Sequence, residues 1–131
     1  MTIRNTPSLR RILLADAAAG LGAGLVVMLG AGFLAPLLGL PAGLLFWAGV
    51  ALMPIVAVLA AMAMRDTFPR LLLVDIAALN ALWATASLGL LVSGAVAPNA
   101  LGVAFVVAQA LLVGGFAILQ FGHLRQSEAA A

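Results

Sequence analysis

Hydrophobic residues fall into four long runs along the chain, and proline, glycine or charged residues bound each run. The runs cover residues 12–34, 43–64, 71–93 and 101–122. Each has the length of about 20 apolar residues that an α-helix needs to cross a hydrocarbon core about 30 Å thick. The pattern therefore predicts four membrane-spanning helices in one membrane domain that takes in the whole chain, residues 1–131.

Three short breaks separate the runs, at residues 35–42, 65–70 and 94–100. Each break carries a proline near the start of the following helix, where proline costs little because the first helical N–H groups lack partners. These prolines are Pro41, Pro69 and Pro98. Such breaks predict tight turns, and tight turns make consecutive helices antiparallel. The predicted fold is an all-α, antiparallel four-helix transmembrane bundle.

The two halves of the chain resemble each other, which indicates duplication of a two-helix hairpin. An arginine precedes an aspartate by five residues in both halves, as Arg11 and Asp16 and as Arg70 and Asp75. Leucine and alanine matches carry little weight in a chain so rich in both, so the interpretation depends on the charged residues and prolines. The bundle is therefore predicted to be two tandem hairpins that enter the membrane in the same direction. The predicted hairpins are residues 1–67 and 68–131.

All six basic side chains are arginines, and four spans would leave every one of them on the same side of the membrane. They are Arg4, Arg10, Arg11, Arg65, Arg70 and Arg125. Because cytoplasmic flanks are rich in positive charge, this distribution predicts that both termini are cytoplasmic. A cleaved export signal at the N-terminus is disfavoured, because the first run exceeds about 15 apolar residues and contains Asp16.

Composition supports the membrane assignment and narrows the chemistry. Hydrophobic residues make up 66% of the chain and charged residues 8%, with a mean hydropathy of +1.27, which excludes a water-soluble globular domain and a disordered chain. The absence of cysteine and the single histidine, His123, leave no set of metal ligands, so neither a metal nor another cofactor is predicted. The pI of about 11.3 arises from few charges in total and does not indicate nucleic-acid binding.

Asp16 and Asp75 are the most informative polar residues, because each lies inside a predicted span. Positions five apart are about 140° apart around a helix, so the preceding arginine does not face the aspartate. A pseudo-twofold bundle predicts reciprocal structural ion pairs instead, Asp16 with Arg70 and Asp75 with Arg11. The alternative interpretation is a proton site in a transport cycle, since intramembrane carboxylates often mark ion pathways.

Gly20 and Gly24 have the small-x3-small spacing that lets two helix backbones approach closely. This spacing is compatible with packing inside the bundle and with self-association of two chains. The sequence leaves both interpretations open.

Polar side chains on the third and fourth predicted helices fall on shared helix faces. Asn80 and Ser87 share one face of the third helix with Trp83, and Gln109 and Gln120 belong to a stripe on the fourth. Gln109 lies near the middle of the membrane and needs a hydrogen-bond partner, for which Asn80 or Ser87 is predicted. Either these groups hold the helices together, or Asn80, Ser87, Gln109 and Gln120 line a polar cavity.

Pro54 lies in the middle of the second predicted span. Proline removes a backbone hydrogen bond and clashes with the preceding turn, so a kink is predicted there. Such a kink acts as a hinge or only shapes the bundle.

Two classes of function remain open. The favoured one is a non-enzymatic helix-packing protein, either an accessory or assembly subunit or a homodimer, because nearly every polar residue has a sufficient structural explanation. The alternative is a small-molecule or proton-coupled transporter with Asp16 and Asp75 as the coupling carboxylates. An enzyme is disfavoured because no nucleophile and base can be paired.

Arginine without lysine, together with abundant alanine, glycine and leucine, is typical of a bacterial protein. The expected location is therefore the bacterial cell membrane, which is the inner membrane in a Gram-negative cell. The expected partners are the lipid bilayer and a second copy of the chain or another membrane protein.

Overall fold

The computed structural model describes the backbone of residues 1–130 and the side chains of residues 1–126. Five helices and two short strands follow one another along this part of the chain. In order they are β1 (Thr2–Arg4), α1 (Pro7–Leu29), α2 (Ala31–Leu38), α3 (Ala42–Ala63), β2 (Thr67–Pro69), α4 (Arg70–Ser93) and α5 (Ala100–Ala130). Helices α1, α3 and α4 and residues 100–126 of α5 are long and apolar enough to span a membrane. The prediction of four helices long and apolar enough to span a membrane is confirmed, and the protein has the make-up of a multi-pass membrane protein.

Helix α1 begins earlier than the hydrophobic run predicts. The Thr6 hydroxyl accepts a hydrogen bond of 3.2 Å from the backbone N–H of Leu9, and Pro7 occupies the first helical position. These residues form an N-cap followed by a proline whose missing N–H costs nothing there. The helix therefore includes Arg10 and Arg11, which the sequence analysis placed before the span.

Helix α2 replaces part of the turn predicted at residues 35–42. The chain bends at Gly30 and then forms eight helical residues with Pro36 inside them. Helix α2 ends at Gly39, which has a φ of +71° and donates its N–H to the Ala35 carbonyl over 2.9 Å. Only glycine adopts this left-handed backbone readily, so the residue fixes the end of the helix.

A two-stranded antiparallel sheet ties the N-terminus to the connection between α3 and α4, and the sequence analysis did not predict it. Ile3 pairs with Phe68 at the centre of the sheet, and both side chains are buried. Three-residue strands are too short to show a convincing alternation in the sequence. The hydrophobic cluster under this sheet includes Leu9 of α1, Met62 of α3 and Leu124 of α5.

The arginine-bearing segments gather at this end of the molecule. β1, the start of α1, the connection between α3 and α4 and the Leu124 turn of α5 all meet in the cluster below the sheet. Arg10 and Asp66 form an ion pair at this end, at 3.4 Å. Asp66 is fully exposed, so this pair stabilises the fold little. The C-terminus itself lies outside the described residues.

The spanning helices pack mainly in two pairs, α1 along α3 and α4 along α5. The two pairs are joined mainly by contacts of α1 and α2 with α5, whereas α3 and α4 are not closely packed along their backbones. A second hydrophobic cluster, far from the sheet, joins Leu38 of α2, Leu45 of α3 and Val106 of α5. This arrangement packs the helices together at both ends of the bundle and leaves space between α3 and α4 on the side away from the sheet.

Candidate functional site

Three polar side chains form a hydrogen-bonded cluster in the centre of the bundle. Asn80 of α4 donates to the Asp16 carboxyl oxygen of α1 over 2.8 Å and to the Gln120 side-chain oxygen of α5 over 2.9 Å. Gln120 in turn donates to the same Asp16 oxygen over 2.7 Å. The exposed fractions are 6% for Asp16, 6% for Asn80 and 0% for Gln120. The cluster therefore links three helices through a closed set of contacts.

These contacts correct the prediction of reciprocal ion pairs. Among the described residues, Asp16 forms no ion pair with Arg70, and Asp75 forms none with Arg11. α1 starts at Pro7, so Asp16 lies about 13 Å along its helix, level with Asn80, which is about 15 Å into α4. Arg70 is the first residue of α4, so it lies at the end of that helix and not at the depth of Asp16. Asp16 is therefore level with the Asn80 amide rather than with an arginine.

The two aspartates of the sequence repeat lie in different environments. Asp16 is buried, whereas Asp75 is exposed on α4. α1 has helices packed on two sides, α3 and α5, and α4 packs closely on α5 alone. Matching positions in the two halves therefore have different structural roles.

Gln109 finds its partner in Trp83, which shares a helix face with Asn80 and Ser87. The indole N–H of Trp83 donates to the Gln109 side-chain oxygen over 2.9 Å, and Gln109 donates to the Val106 carbonyl over 3.0 Å. The prediction that Asn80 or Ser87 serves Gln109 is wrong, because Asn80 is held in the polar cluster and Ser87 donates to the Trp83 carbonyl within α4. Tryptophan was available in the sequence as a donor on the same helix face.

A cavity of about 500 Å³ lies between the four spanning helices on the side away from the sheet. We call it the lateral cavity. Its walls are formed by residues of α1, the α2–α3 connection, α3, α4 and α5, among them Val27, Leu40, Trp47, Ala51, Trp83, Ala86, Ser87, Phe105 and Gln109. Its α3 and α4 walls contain exposed residues, with 66% exposure at Trp47, so the cavity opens outward between these two helices.

A smaller cavity of about 70 Å³ lies between the lateral cavity and the polar cluster. Asp16 and Asn80 are in its wall, and Trp83 and Gln109 line both cavities. The hydrogen-bonded pair Trp83–Gln109 therefore stands between the apolar space and the buried carboxyl group.

The predicted polar cavity is not formed as a single site. Ser87 and Gln109 lie on the wall of the lateral cavity, whereas Asn80 lines only the smaller cavity and Gln120 is sealed in the cluster. The four residues are divided because their helices present them at two depths. The lateral cavity is consequently lined mostly by apolar side chains.

Gly20 and Gly24 both face α3 inside the bundle. A Cβ atom on Gly20 would lie 3.0 Å from Val56, and one on Gly24 would collide with the Met53 side chain. On the facing helix, a Cβ on Gly49 would lie 2.5 Å from the Gly24 carbonyl oxygen. This small-residue surface is used for packing within the chain.

Pro54 does not interrupt α3, which continues as a single helix from Ala42 to Ala63. Proline is tolerated there at the cost of one backbone hydrogen bond. Its role as a hinge stays a prediction.

A residue that the sequence analysis missed is Asn5, which is buried at the sheet end of the bundle. Its side-chain N–H groups lie within hydrogen-bonding distance of the carbonyl oxygens of Met62, Ala63 and Arg65, at 3.2, 3.2 and 2.9 Å. Asn5 therefore donates to carbonyls at the end of α3, where the backbone itself supplies the Met62 carbonyl with only the Arg65 N–H, at 3.2 Å.

No protein-family model matches the chain, and neither a curated protein nor a solved structure shows significant similarity to it.

Proposed function

We propose that the protein is a non-enzymatic membrane protein that acts through helix packing, as an accessory or assembly subunit or as a homo-oligomer. The observation that carries this proposal is the closed cluster of Asp16, Asn80 and Gln120. Their side chains bond to one another, and the exposed surface of the spanning helices is largely apolar. Such a surface offers van der Waals contact to lipid and to other helices.

We further propose that the chain forms two tandem hairpins in the bacterial cell membrane, with both termini in the cytoplasm. The gathering of arginine-bearing segments at the sheet end supports this orientation under the positive-inside rule. Thr67→Cys at the sheet end and Ala97→Cys at the opposite end can be labelled with an impermeant maleimide. We expect labelling of Ala97→Cys in intact spheroplasts and of Thr67→Cys only in inverted vesicles, and the reverse pattern would contradict the orientation.

Crosslinking in native membranes tests the proposed role. The chain has no cysteine, so a single introduced cysteine reports on one surface. Each spanning helix has a glycine at which a Cβ atom would meet no atom within 4 Å. These are Gly22 on α1, Gly43 on α3, Gly89 on α4 and Gly115 on α5. We therefore expect cysteine at these positions to leave the bundle undisturbed.

We expect a thiol crosslinker to convert at least one of the four glycine-to-cysteine variants into a dimer or into a complex with one defined second protein. Ala77→Cys, at a fully buried position of α4, is the matched control and should give neither product. Recovery of only the uncrosslinked chain from all four variants would contradict the proposal.

The second candidate function is a proton-coupled transporter or permease, with Asp16 and Asp75 as its coupling carboxylates. One observation favours it: the smaller cavity reaches Asp16 and Asn80 from the side of the lateral cavity. The hydrogen bonds of Asp16 to two amides and the exposed position of Asp75 favour the helix-packing role.

Proteoliposomes distinguish the two candidates. We expect the intact protein and its Asp16→Asn and Asp75→Asn variants to give the same proton permeability, measured with an enclosed pH-sensitive dye. If the intact protein carries a proton flux that Asp16→Asn or Asp75→Asn abolishes, the protein is a transporter and the helix-packing role is wrong.

A further inference from the structure

The lateral cavity has the size and composition of a binding site for a small lipid-soluble molecule. Ligand pockets usually enclose about 300–1,000 Å³ and combine apolar walls with a few placed polar groups. The lateral cavity encloses about 500 Å³, and its walls are apolar apart from Ser87, Gln109 and the indole groups. Its position in the spanning part of the bundle makes it accessible from the hydrocarbon core of a membrane.

Small side chains on α3 and α4 leave the cavity open between these two helices. Ala51 on α3 and Ala86 on α4 are both exposed and both line the cavity. Because these helices are not closely packed along their backbones, a molecule dissolved in the bilayer can pass between them. The cavity is therefore a lateral site, reached from lipid.

The cavity is short along the helix axis. Its α3 wall runs from Leu44 to Leu52, which is about 12 Å. A spanning helix of another protein is about 30 Å long, so most of it would lie outside the cavity. These dimensions favour a small molecule as the occupant.

The polar groups at the inner wall select a neutral hydrogen-bonding partner. No charged side chain lines the cavity. The Gln109 amide uses one N–H toward Val106 and accepts from Trp83, so its second N–H is left to donate. The Ser87 hydroxyl donates its only hydrogen to the Trp83 carbonyl. A carbonyl oxygen on the ligand fits the remaining Gln109 N–H, whereas a phosphate or carboxylate would be buried without a counter-charge.

Aromatic side chains on three walls favour a flat ring. Trp47 of α3, Trp83 of α4 and Phe105 of α5 all line the cavity. Aromatic faces pack against planar rings in offset or edge-to-face geometry and add to the free energy of apolar burial. An acyl chain would fill apolar space without using these faces.

We propose that the lateral cavity binds a neutral, ring-containing lipid of the quinone class, with a ring carbonyl at Gln109 and an apolar tail that leaves between α3 and α4. The proposal is independent of the helix-packing role, since a bound lipid is compatible with a subunit, a homo-oligomer or a transporter.

Intrinsic fluorescence gives a direct test, because both tryptophans of the chain line the cavity. Decylubiquinone, which has a ring with two carbonyls and a short tail, is titrated into the protein in lipid nanodiscs. We expect saturable quenching with a defined Kd. Quenching that rises linearly and matches that of a tryptophan octyl ester in empty nanodiscs would overturn the proposal.

Variants at the opening establish where the ring binds. Ala86→Leu fills the cavity from α4, and we expect it to weaken decylubiquinone binding at least tenfold. Ala78→Leu adds the same side chain at another exposed position of α4, outside the cavity, and should bind as the parent does. If Ala86→Leu lowers the yield of folded protein, Ala51→Leu with its control Ala57→Leu makes the same comparison on α3. Equal affinity in a folded lining variant and its control would overturn the site.

Two further experiments test the ligand chemistry. Gln109→Leu removes the amide, and we expect it to bind decylubiquinone about five- to tenfold more weakly than the parent. Dodecanoate has a carboxylate and no ring, and we expect that it does not compete with decylubiquinone. Dioctanoylglycerol supplies neutral ester carbonyls without a ring. Its competition with decylubiquinone at equal concentration, or unchanged affinity in Gln109→Leu, would overturn the assignment to a quinone-class ring.

Discussion

The indole N–H of Trp83 donates a hydrogen bond of 2.9 Å to the side-chain oxygen of Gln109, and this pair separates the lateral cavity from the smaller cavity beside Asp16. The bond joins α4 to α5 in the middle of the bundle. It has two consequences: it gives the half-buried Gln109 amide a hydrogen-bond partner, and it holds the inner wall of the lateral cavity in place.

Trp83→Phe is expected to destabilise the bundle by about 0.6–1.7 kcal/mol, because interhelical hydrogen bonds in a membrane protein average about 0.6 kcal/mol and reach about 1.7 kcal/mol. Trp47→Phe is the matched control, since Trp47 is largely exposed and forms no hydrogen bond among the described residues. The free energy of unfolding is measured by denaturation in mixed micelles. If Trp83→Phe and Gln109→Leu give additive losses in a double-mutant cycle, the proposed coupling of the two side chains is wrong.

Asp16→Leu is expected to destabilise the bundle by about 1–3 kcal/mol, because it removes the acceptor of two buried amide donors, those of Asn80 and Gln120. Asp75→Leu makes the same substitution at the matching position of the repeat, where the side chain is exposed, and should change stability little. The same micelle titration measures both. Equal losses in the two variants would show that the buried cluster does not stabilise the fold.

Gly49→Ala is expected to cost about 1–3 kcal/mol, because the added Cβ would lie 2.5 Å from the Gly24 carbonyl oxygen and 3.0 Å from the Met28 backbone nitrogen. Gly43→Ala on the same helix meets no atom within 4 Å and should stabilise α3 by up to about 1 kcal/mol. Thermal unfolding in detergent compares the two variants. A neutral Gly49→Ala would mean that α1 and α3 separate freely at this crossing.

The number of spanning helices could be predicted from the sequence because a hydrocarbon core demands long apolar runs with little charge. The ends of these helices could not be predicted, because the Thr6–Pro7 N-cap lies among other polar residues, outside the apolar run. Helix α2 was missed because residues 35–42 were predicted to be a turn, although a helix of eight residues loses only one backbone hydrogen bond to Pro36.

The residues of the polar cluster were each recognised in the sequence, but they were assigned to different groups. Charge complementarity favoured arginine as the partner of Asp16, while Asn80 and Gln120 were assigned to a cavity wall. Partner choice between helices depends on the depth and rotation of each helix, and a shift of one residue turns a side chain by about 100°. The apolar pattern leaves this rotation undetermined in helices that are hydrophobic on nearly every side.

The N-terminal segment supports one further prediction, which concerns Asn5. Its side-chain N–H groups lie within 3.2 Å of the Met62 and Ala63 carbonyl oxygens, which end α3, so the position requires a donor. Asn5→Asp keeps the shape of the side chain but replaces the donor with an acceptor facing other acceptors. We expect a loss of about 1–3 kcal/mol and faster proteolysis of the N-terminus, because the sheet would separate from the end of α3.

Thr67→Asp is the control for Asn5→Asp, since it adds the same charge at the same end of the bundle, at an exposed position of β2 that pairs with Arg4, the residue before Asn5. It should leave stability and proteolysis close to those of the parent, because an exposed carboxylate keeps its hydration. Limited proteolysis followed by mass spectrometry measures N-terminal cleavage, and micelle denaturation measures stability. If both variants behave alike, charge at the sheet end explains the effect and the hydrogen bonds of Asn5 do not hold the N-terminus to α3.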